Sequence, residues 1–474
     1  MQYETIIGLE VHIQLATEQK AFCTCATKFG AAPNTQTCAF CLGQGKALPE
    51  LNRQAVELAL KAALALNCQV PTQAGFDRKH YSALDLPKGY QITQWRAPFG
   101  KQGYLDVEVA GQIERVPLKQ VHLEEDAGRA VQTASGEIID FNRAGIPLIE
   151  IVTPPVFRTA TAARAYLEAL QLLMRYLGVS DARIEEGSMR CELNISLRPV
   201  GSDELGEMCE IKNIGSLRGV VGAIAYEEQR QAALLDCGSL VPRETRRWDE
   251  VQQATFPMRS KEQAIDYRYS PEPDLPTIVI DNARLDDIKR NLPELPLARQ
   301  QRYQTELKLS SYAAREIIGD PALAAYFEAV LLYYPEPEDV ANWLLTDLRA
   351  QLNQSSGSFA DCPVAAQDLA DLLKLVRQGT LSHNIAKQLL TESFASGQAP
   401  AAIARSRQLQ QVNDREQLQQ WVEQVIEANA AVVAEYQGGK ERAFGFLMGQ
   451  LMHISGGLAN PLLAKQVLYE ILGK

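Results

Sequence analysis

Along Ile6 to Leu15 the odd positions Ile7, Leu9, Val11, Ile13 and Leu15 are apolar, while the even positions carry Gly8, Glu10, His12 and Gln14. Period two is the signature of a strand, so Glu10 and His12 share its polar face. Arg190 to Arg198 repeats the pattern: Cys191, Leu193, Ile195 and Leu197 point one way, and Arg190, Glu192, Asn194, Ser196 and Arg198 the other. Met208 to Lys212 puts Glu210 and Lys212 on one face, and Glu150 sits inside the apolar run Pro147 to Val152. The segment His122 to Arg129 adds Glu124, Glu125 and Asp126. Carboxylates in half-buried positions need partners. Several converging on one place repel each other unless cations sit among them, and hard oxygen donors suit magnesium bridging nucleotide phosphates. Lys79, Lys88, Arg143, Arg190 and Lys212 then become candidates to hold phosphate oxygens.

Nine cysteines are present, and four of them, Cys23, Cys25, Cys38 and Cys41, form a C-x-C pair, twelve residues, and a C-x2-C pair. Paired thiols at this spacing suit tetrahedral zinc, and four thiolates close the site, so its expected role is structural. The bland alternative is four reduced thiols packed as small apolar groups. His80, His122, His383 and His453 carry no ligand spacing and read as surface or internally satisfied histidines. The run Gly43 to Lys46 lacks the spacing and hydroxyl of a phosphate-cradling loop, and no Ser-Lys amidase pattern is recognisable.

The elements that must carry these side chains are strands. Tyr104 to Ala110 and Gln112 to Val121, joined at Ala110 and Gly111, read as a hairpin and predict antiparallel pairing. An amphipathic helix over Thr161 to Leu177, ending at Gly178, is expected to cover the apolar face of the sheet. Beyond the prolines at 293 and 296 the pattern turns helical. Apolar residues recur at helical spacing in Glu338 to Gln351, Ala366 to Arg377 and Ile385 to Phe394. After a polar stretch from Arg405 to Asp414 come Glu416 to Tyr436, Lys440 to His453 and Pro461 to Leu472, the last with Asn460 as N-cap. The expected organisation is an α+β protein: an antiparallel-sheet catalytic domain over 1–295 with the cysteine knuckle, a helical domain over 296–405 and a helical tail over 406–474.

The 474 residues are long enough for two or three domains. They contain no apolar run of about 18 residues and no leader pattern at the start, so no membrane association and a cytoplasmic location are expected. The formal charge of -11 argues against a general grip on nucleic-acid backbone, leaving local patches for any RNA.

The same residues carry a resemblance over nearly the whole chain. Gly8 to Leu15 (GLEVHIQL), Arg78 to Gln94 (RKHYSALDLPKGYQITQ), His122 to Arg129 (HLEEDAGR), Asn142 to Val152 (NRAGIPLIEIV), Glu185 to Ser196 (EEGSMRCELNIS), Glu210 to Asn213 (EIKN) and Met258 to Pro276 occur in the order found in the B subunits of aspartyl/glutamyl-tRNA amidotransferases, which the chain resembles. The resemblance implies a heterotrimer. The A subunit hydrolyses glutamine, the C subunit holds the pair together, and the B subunit uses ATP and magnesium to phosphorylate the side-chain carboxylate of Glu-tRNA(Gln) or Asp-tRNA(Asn). Ammonia then displaces phosphate. It further implies a catalytic domain related to glutamine synthetase, with Glu10, His12, Glu125, Glu150, Glu192 and Glu210 around the magnesium ions, and a tail that docks tRNA. Of the candidate phosphate holders, Lys79, Lys88 and Arg190 are expected in the chemistry and Lys212 and Arg143 on the nucleotide. The chain departs from the family pattern in having Glu192 where Asp is usual and in a tail with fewer lysines.

Two other readings fit the sequence. A non-catalytic RNA-binding scaffold of the same fold would have no use for buried carboxylates without magnesium. An ATP-dependent ligase for a free small acid would have no need of the tail.

Overall fold

The computed structural model describes residues 2–45, 47–133, 136–260, 266–407, 409, 412 and 414–473. The chain forms two compact units, residues 2–299 and 300–473, divided within the helix Pro296–Thr305.

The first unit is built on an eleven-stranded sheet. Its order is Ala254–Ser260, Glu244–Asp249, Cys209–Ile214, Met189–Pro199, Tyr3–Gln14, Pro147–Val152, Gln112–Glu125, Tyr90–Thr93, Asp77–His80 and Ser270–Pro271, with Gly100–Val109 also paired to Gln112–Glu125. The alternation read from the sequence is realised: Ile7, Leu9, Val11 and Ile13 are buried, as are Cys191, Leu193, Ile195 and Leu197, while Glu10, His12, Arg190 and Glu192 stay partly open. The hairpin closes through Ala110 (φ 49°) and Gly111 (φ 84°), with Val109 opposite Gln112. Two successive positive φ angles define the type I′ turn, whose twist matches that of the flanking strands. The expectation of purely antiparallel pairing needs one correction. Cys209–Ile214 and Glu244–Asp249 run parallel, because the helix Leu217–Asp236 lies between them in the chain and returns it in the same direction.

The sheet is strongly curled. Lys212 and Lys79 stand on strands six inter-strand steps apart, which on a flat sheet would separate them by about 29 Å. Both nevertheless line one cavity of about 540 Å³. The apolar side is covered by Arg53–Ala65, Ala160–Tyr176 and Leu217–Asp236. Ala160–Tyr176 is the helix anticipated from the sequence. It starts at Thr159, whose hydroxyl accepts the Ala162 N–H, and buries Tyr166, Leu167, Leu170, Leu173 and Met174.

The second unit is helical. Ala366–Arg377 and Pro461–Leu472 have the bounds expected, and the Asn460 side chain accepts the N–H groups of Leu462 and Leu463. Two long helices are interrupted. The Pro337–Gln354 stretch contains a π-helical turn, Leu344–Leu348, and the span expected over Glu416 to Tyr436 breaks at Asn429 into Arg415–Ala428 and Ala430–Gln437. Part of the polar stretch from Arg405 to Asp414 lies outside the described residues. After it, Leu418, Val422, Val425, Leu447, Leu451, Val467 and Leu468 form a hydrophobic core of their own. Among the described residues no helix is long and apolar enough to cross a membrane.

Candidate metal and phosphoryl-transfer site

On the polar face of the curled sheet, cross-strand register sets Arg190, His12, Glu150 and His122 in one row across four neighbouring strands. Residues directly opposite on neighbouring strands have β-carbons about 5 Å apart, close enough for side chains to meet. His12 Nε2 lies 3.4 Å from Glu150 Oε2 and 3.5 Å from Glu124 Oε1; His122 Nε2 lies 3.1 Å from Glu150 Oε2 and 3.5 Å from Glu124 Oε2. Glu10, one row away and opposite Glu192, completes the group. Two sets of three donors result, Glu10–His12–Glu150 and His122–Glu124–Glu150, each with its ligand atoms within 4.8 Å of one another and both sharing Glu150.

The electrostatics are those of closely crowded donors. Burial, reinforced by the negative Glu150 and Glu192, lifts Glu10 to about 8. Burial opposes charge on the imidazoles, but Glu150 and Glu124 outweigh it and lift His12 to about 9 and His122 to about 10. Glu150 is held well below the usual carboxylate range, its burial outweighed by His122 and His12. Carboxylates and imidazoles that place four donors around a shared fifth, Glu150, fit divalent cations, and a carboxylate common to two donor sets is the usual bridge of a two-metal site.

The candidates named from the sequence do not all meet here. Glu10, His12 and Glu150 come together. Glu125 does not: Glu124 occupies the place expected of it, because His122 and Glu124 share the polar parity of Gln112–Glu125. Glu125, one residue on, instead accepts from Lys88 Nζ at 2.6 Å and from the Ile92 N–H at 2.9 Å. That contact also removes Lys88 from the expected phosphate holders; it is a buried counter-ion lying 5.1 Å from the Phe40 ring centroid. Arg190 forms a two-pronged pair with Asp126 (2.8 and 2.9 Å), although its row brings it beside His12. Arg143 donates from Nε and Nη2 to the carbonyls of Ala127 and Gly128 and lies 3.5 Å from Asp126, so it braces the turn after Glu125. Lys212 is paired with Glu192 and lies 3.5 Å from Glu210, whose other oxygen accepts from Thr245. Glu192 and Glu210 therefore flank the donor sets without joining either. Lys79 faces the cavity, its Nζ 4.8 Å above the Tyr267 ring, and its charge is favoured by Glu124 and Glu150 against the effect of burial.

Sequence reasoning misses His122 as a donor, although the alternation of Gln120, His122 and Glu124 with Val121 and Leu123 carries the signal. It also misses Lys20. Cys23, Cys25, Cys38 and Cys41 gather with all four sulfurs within 4.8 Å. The Cys38–Cys41 sulfur separation of 3.8 Å matches the edge of about 3.8 Å expected of a tetrahedron with zinc–sulfur arms of about 2.3 Å. Fully buried Lys20 brings Nζ to 3.6 Å from Cys41 Sγ while donating to the Phe141 carbonyl, and so offsets thiolate charge. The donors fit zinc.

A mixed α/β domain that rolls one large sheet around convergent carboxylates, followed by a helical part, defines a catalytic domain joined to a helical appendage. Residues 5–286 match the family described as the GatB/GatE catalytic domain, and residues 325–472 the family described as the GatB domain. The B subunit of the aspartyl/glutamyl-tRNA(Asn/Gln) amidotransferase of Moorella thermoacetica is 46% identical over 476 residues, with 100% of both chains covered. The proteins of the same name from Carboxydothermus hydrogenoformans and Persephonella marina are 45% and 44% identical, covering 100% of this chain and 99% and 100% of theirs. The chain belongs to the family of amidotransferase B subunits.

Proposed function

We propose that this chain is the phosphorylating subunit of a glutamine-dependent tRNA amidotransferase. The supporting observation is the pair of donor sets that share Glu150 on the polar face of the sheet. In this reading Glu10, His12, Glu150, His122 and Glu124 hold magnesium, with Glu192 and Glu210 flanking. Magnesium supplies charge neutralisation on the phosphates of ATP. A side-chain carboxylate oxygen of Glu-tRNA(Gln) or Asp-tRNA(Asn) attacks the γ-phosphorus. The bond from that phosphorus to the bridging oxygen breaks, giving an acyl phosphate and ADP. Ammonia then attacks the acyl carbon, phosphate leaves with the bonding electrons, and the amide loses a proton to solvent. Lys79 and Lys212, at the cavity, offset charge on the transferring group.

Ammonia comes from the glutaminase, the A subunit, with the C subunit holding the pair together, in the cytoplasm. The curled, mostly antiparallel sheet with carboxylates on one face supports a domain of the glutamine synthetase kind. Zinc at the four cysteines is structural. The working division is a catalytic domain over 1–295, a helical domain over 296–405 and a tRNA-docking tail over 406–474, the last supported by its separate core.

The test is reconstitution with the A and C subunits, ATP, glutamine and each misacylated tRNA, reading amide formation and ATP-derived phosphate. Amide formed at the normal rate without ATP hydrolysis would overturn the reading.

A further inference from the structure

Lys20 is among the largest fully buried side chains of the first unit, and its surroundings are unusual for an ammonium group. Buried charges are as a rule paired with an opposite charge. Lys88, also buried, follows the rule with Glu125 at 2.6 Å. Lys20 does not. Among the described residues no carboxylate forms an ion pair with it, and its Nζ donates to Cys41 Sγ at 3.6 Å and to the Phe141 carbonyl at 3.2 Å. The anion that answers this ammonium is sulfur, and Cys41 supplies it as a thiolate, the form in which it binds zinc. Four thiolates outweigh the charge of one zinc ion, so a buried cation beside them stabilises the loaded site.

Lys20 also joins two pieces of chain. Its backbone N–H donates to the Cys25 carbonyl inside the knuckle at 2.9 Å, and the next N–H, that of Ala21, donates to the Gly145 carbonyl at 2.8 Å. The lysine stem lies against Gly145, where a β-carbon would stand 3.3 Å from Lys20 Cδ. The Phe141 carbonyl that Lys20 reaches also accepts the Ala144 N–H at 3.1 Å, so the ammonium caps the turn from Phe141 to Ile146. That turn leads directly into Pro147–Val152, the strand that carries Glu150. It is also stitched to Asp126, whose carbonyl accepts the Gly145 N–H at 2.9 Å and whose N–H donates to the Ile146 carbonyl at 2.8 Å. The Asp126 side chain in turn grips Arg190, which stands opposite His12 in the sheet. Direct contacts therefore run from the sulfurs through Lys20 and the turn to both ends of the donor row.

We propose that Lys20 is a positioning residue that couples the zinc knuckle to the donor row: the zinc-bound sulfurs hold its ammonium on the Phe141 carbonyl, and the ammonium holds the turn that places Asp126 and Glu150. Loss of the metal removes the anion that the ammonium needs, and a buried charge without a partner favours opening of the turn toward water. The metal content of the knuckle is then felt at the reaction centre, beyond its local role as a staple. The assignment rests on reading the four cysteines as a zinc site.

The experiment uses the assembled enzyme and Lys20→Met, which keeps the length of the stem and removes the charge. Zinc release to a chromogenic chelator is expected to be at least about tenfold faster than in wild type, within the range for losing a group that supports a metal ligand. Hydrogen exchange read by mass spectrometry is expected to be faster over residues 141–146 in the variant. Wild type stripped of zinc should show the same change, and the helix Leu217–Asp236 should be unaltered in both. The magnesium concentration for half-maximal phosphorylation should rise in parallel. Lys61→Met removes another lysine that donates to a backbone carbonyl, that of Leu177, and as the control should change none of these. Zinc release at the wild-type rate, or exchange over 141–146 that ignores zinc, would overturn the proposal. So would equal acceleration in Leu217–Asp236, which would mean general loosening. Should Lys20→Met fail to fold, the comparison of zinc-bound and stripped wild type decides. Failure of the underlying reading looks different: folded, active enzyme would then contain no zinc at all.

Discussion

Glu150 and His122 stand directly opposite each other on neighbouring strands, with Oε2 and Nε2 3.1 Å apart. The same oxygen lies 3.4 Å from His12 on the other side, so one carboxylate oxygen is the meeting point of three strands. Glu150→Gln removes the charge while keeping the shape. The expected result is a fall of at least about a hundredfold in ATP-dependent phosphorylation of the tRNA-bound carboxylate, as for other losses of a preorganised charged contact, with glutamine hydrolysis by the partner at least partly retained. Normal amide formation would remove Glu150 from the centre.

Glu124 and Glu125 are neighbours with different tasks. Glu124→Gln is expected to raise the magnesium concentration needed for half-maximal activity and to leave unfolding almost unchanged. Glu125→Gln leaves Lys88 buried without its counter-ion and is expected to lower stability by about 3–5 kcal/mol. Magnesium titration alongside denaturant unfolding separates them; identical profiles for the two variants would mean that the division of roles is mistaken.

The cysteine knuckle is expected to retain one zinc per chain after washing with chelator. Cys41→Ser should lose most of it, since it removes a ligand and the sulfur to which Lys20 is directed. Elemental analysis reads this directly, and folded, active protein without zinc would leave the four cysteines as packed thiols.

Glu227 provides a pH test far from the cluster. It is fully buried, and contacts with Arg230, Thr255 and Gln231 overcome its burial to hold its carboxyl below the ordinary 4.5. A depressed folded-state pKa contributes stability that is fully present above the unfolded value and lost as pH falls below it. Urea midpoints should therefore decline from about pH 5 downward, and Glu227→Gln should lose that part of the decline. The same variant removes one of the two carboxylates that Arg230 and Arg246 share, leaving Glu244, and is expected to cost about 1.5–3 kcal/mol at neutral pH, the range for a lost hydrogen bond to a charged group. An unaltered pH profile in the variant would assign the acid sensitivity to other carboxylates.

Truncation after Arg405 removes a segment that contains its own core, so the remaining chain should fold. The expected effect is a higher half-saturation for tRNA with ATP and glutamine hydrolysis retained, because positioning contributes through entropy and leaves the reacting groups in place. Unchanged tRNA dependence would sink the docking role of the tail.

Much of this centre is legible in the sequence because alternation in a strand fixes sidedness: it alone assigns Glu10, His12 and Glu192 to one face, and Glu150 stands out as an acid inside an apolar run. Preferring Glu125 to Glu124 ignores the same alternation, which links Glu124 to His122. Other features have no local signal. Lys20 reaches Cys41 and Lys88 reaches Glu125 only because loops from separate parts of the chain pack together, and Arg143 spends its donors on carbonyls that the fold alone brings near. Helix ends are readable where a capping side chain marks them, as at Asn460. The break at Asn429 and the π-helical turn are not, since apolar spacing continues through both.

The strand Pro147–Val152 has Leu148, Glu150 and Val152 on the polar side and Ile149 and Ile151 in the core. A slide of two residues against either neighbour would keep both isoleucines buried, so oil–water partition scarcely distinguishes the correct alignment from its nearest mistake. What distinguishes them is that only one alignment sets the lone acid between His12 and His122. The cluster around Glu150 thus doubles as a proofreading mark for assembly of the sheet: a strand that closes one notch out of place would bury its isoleucines equally well and lose the cluster.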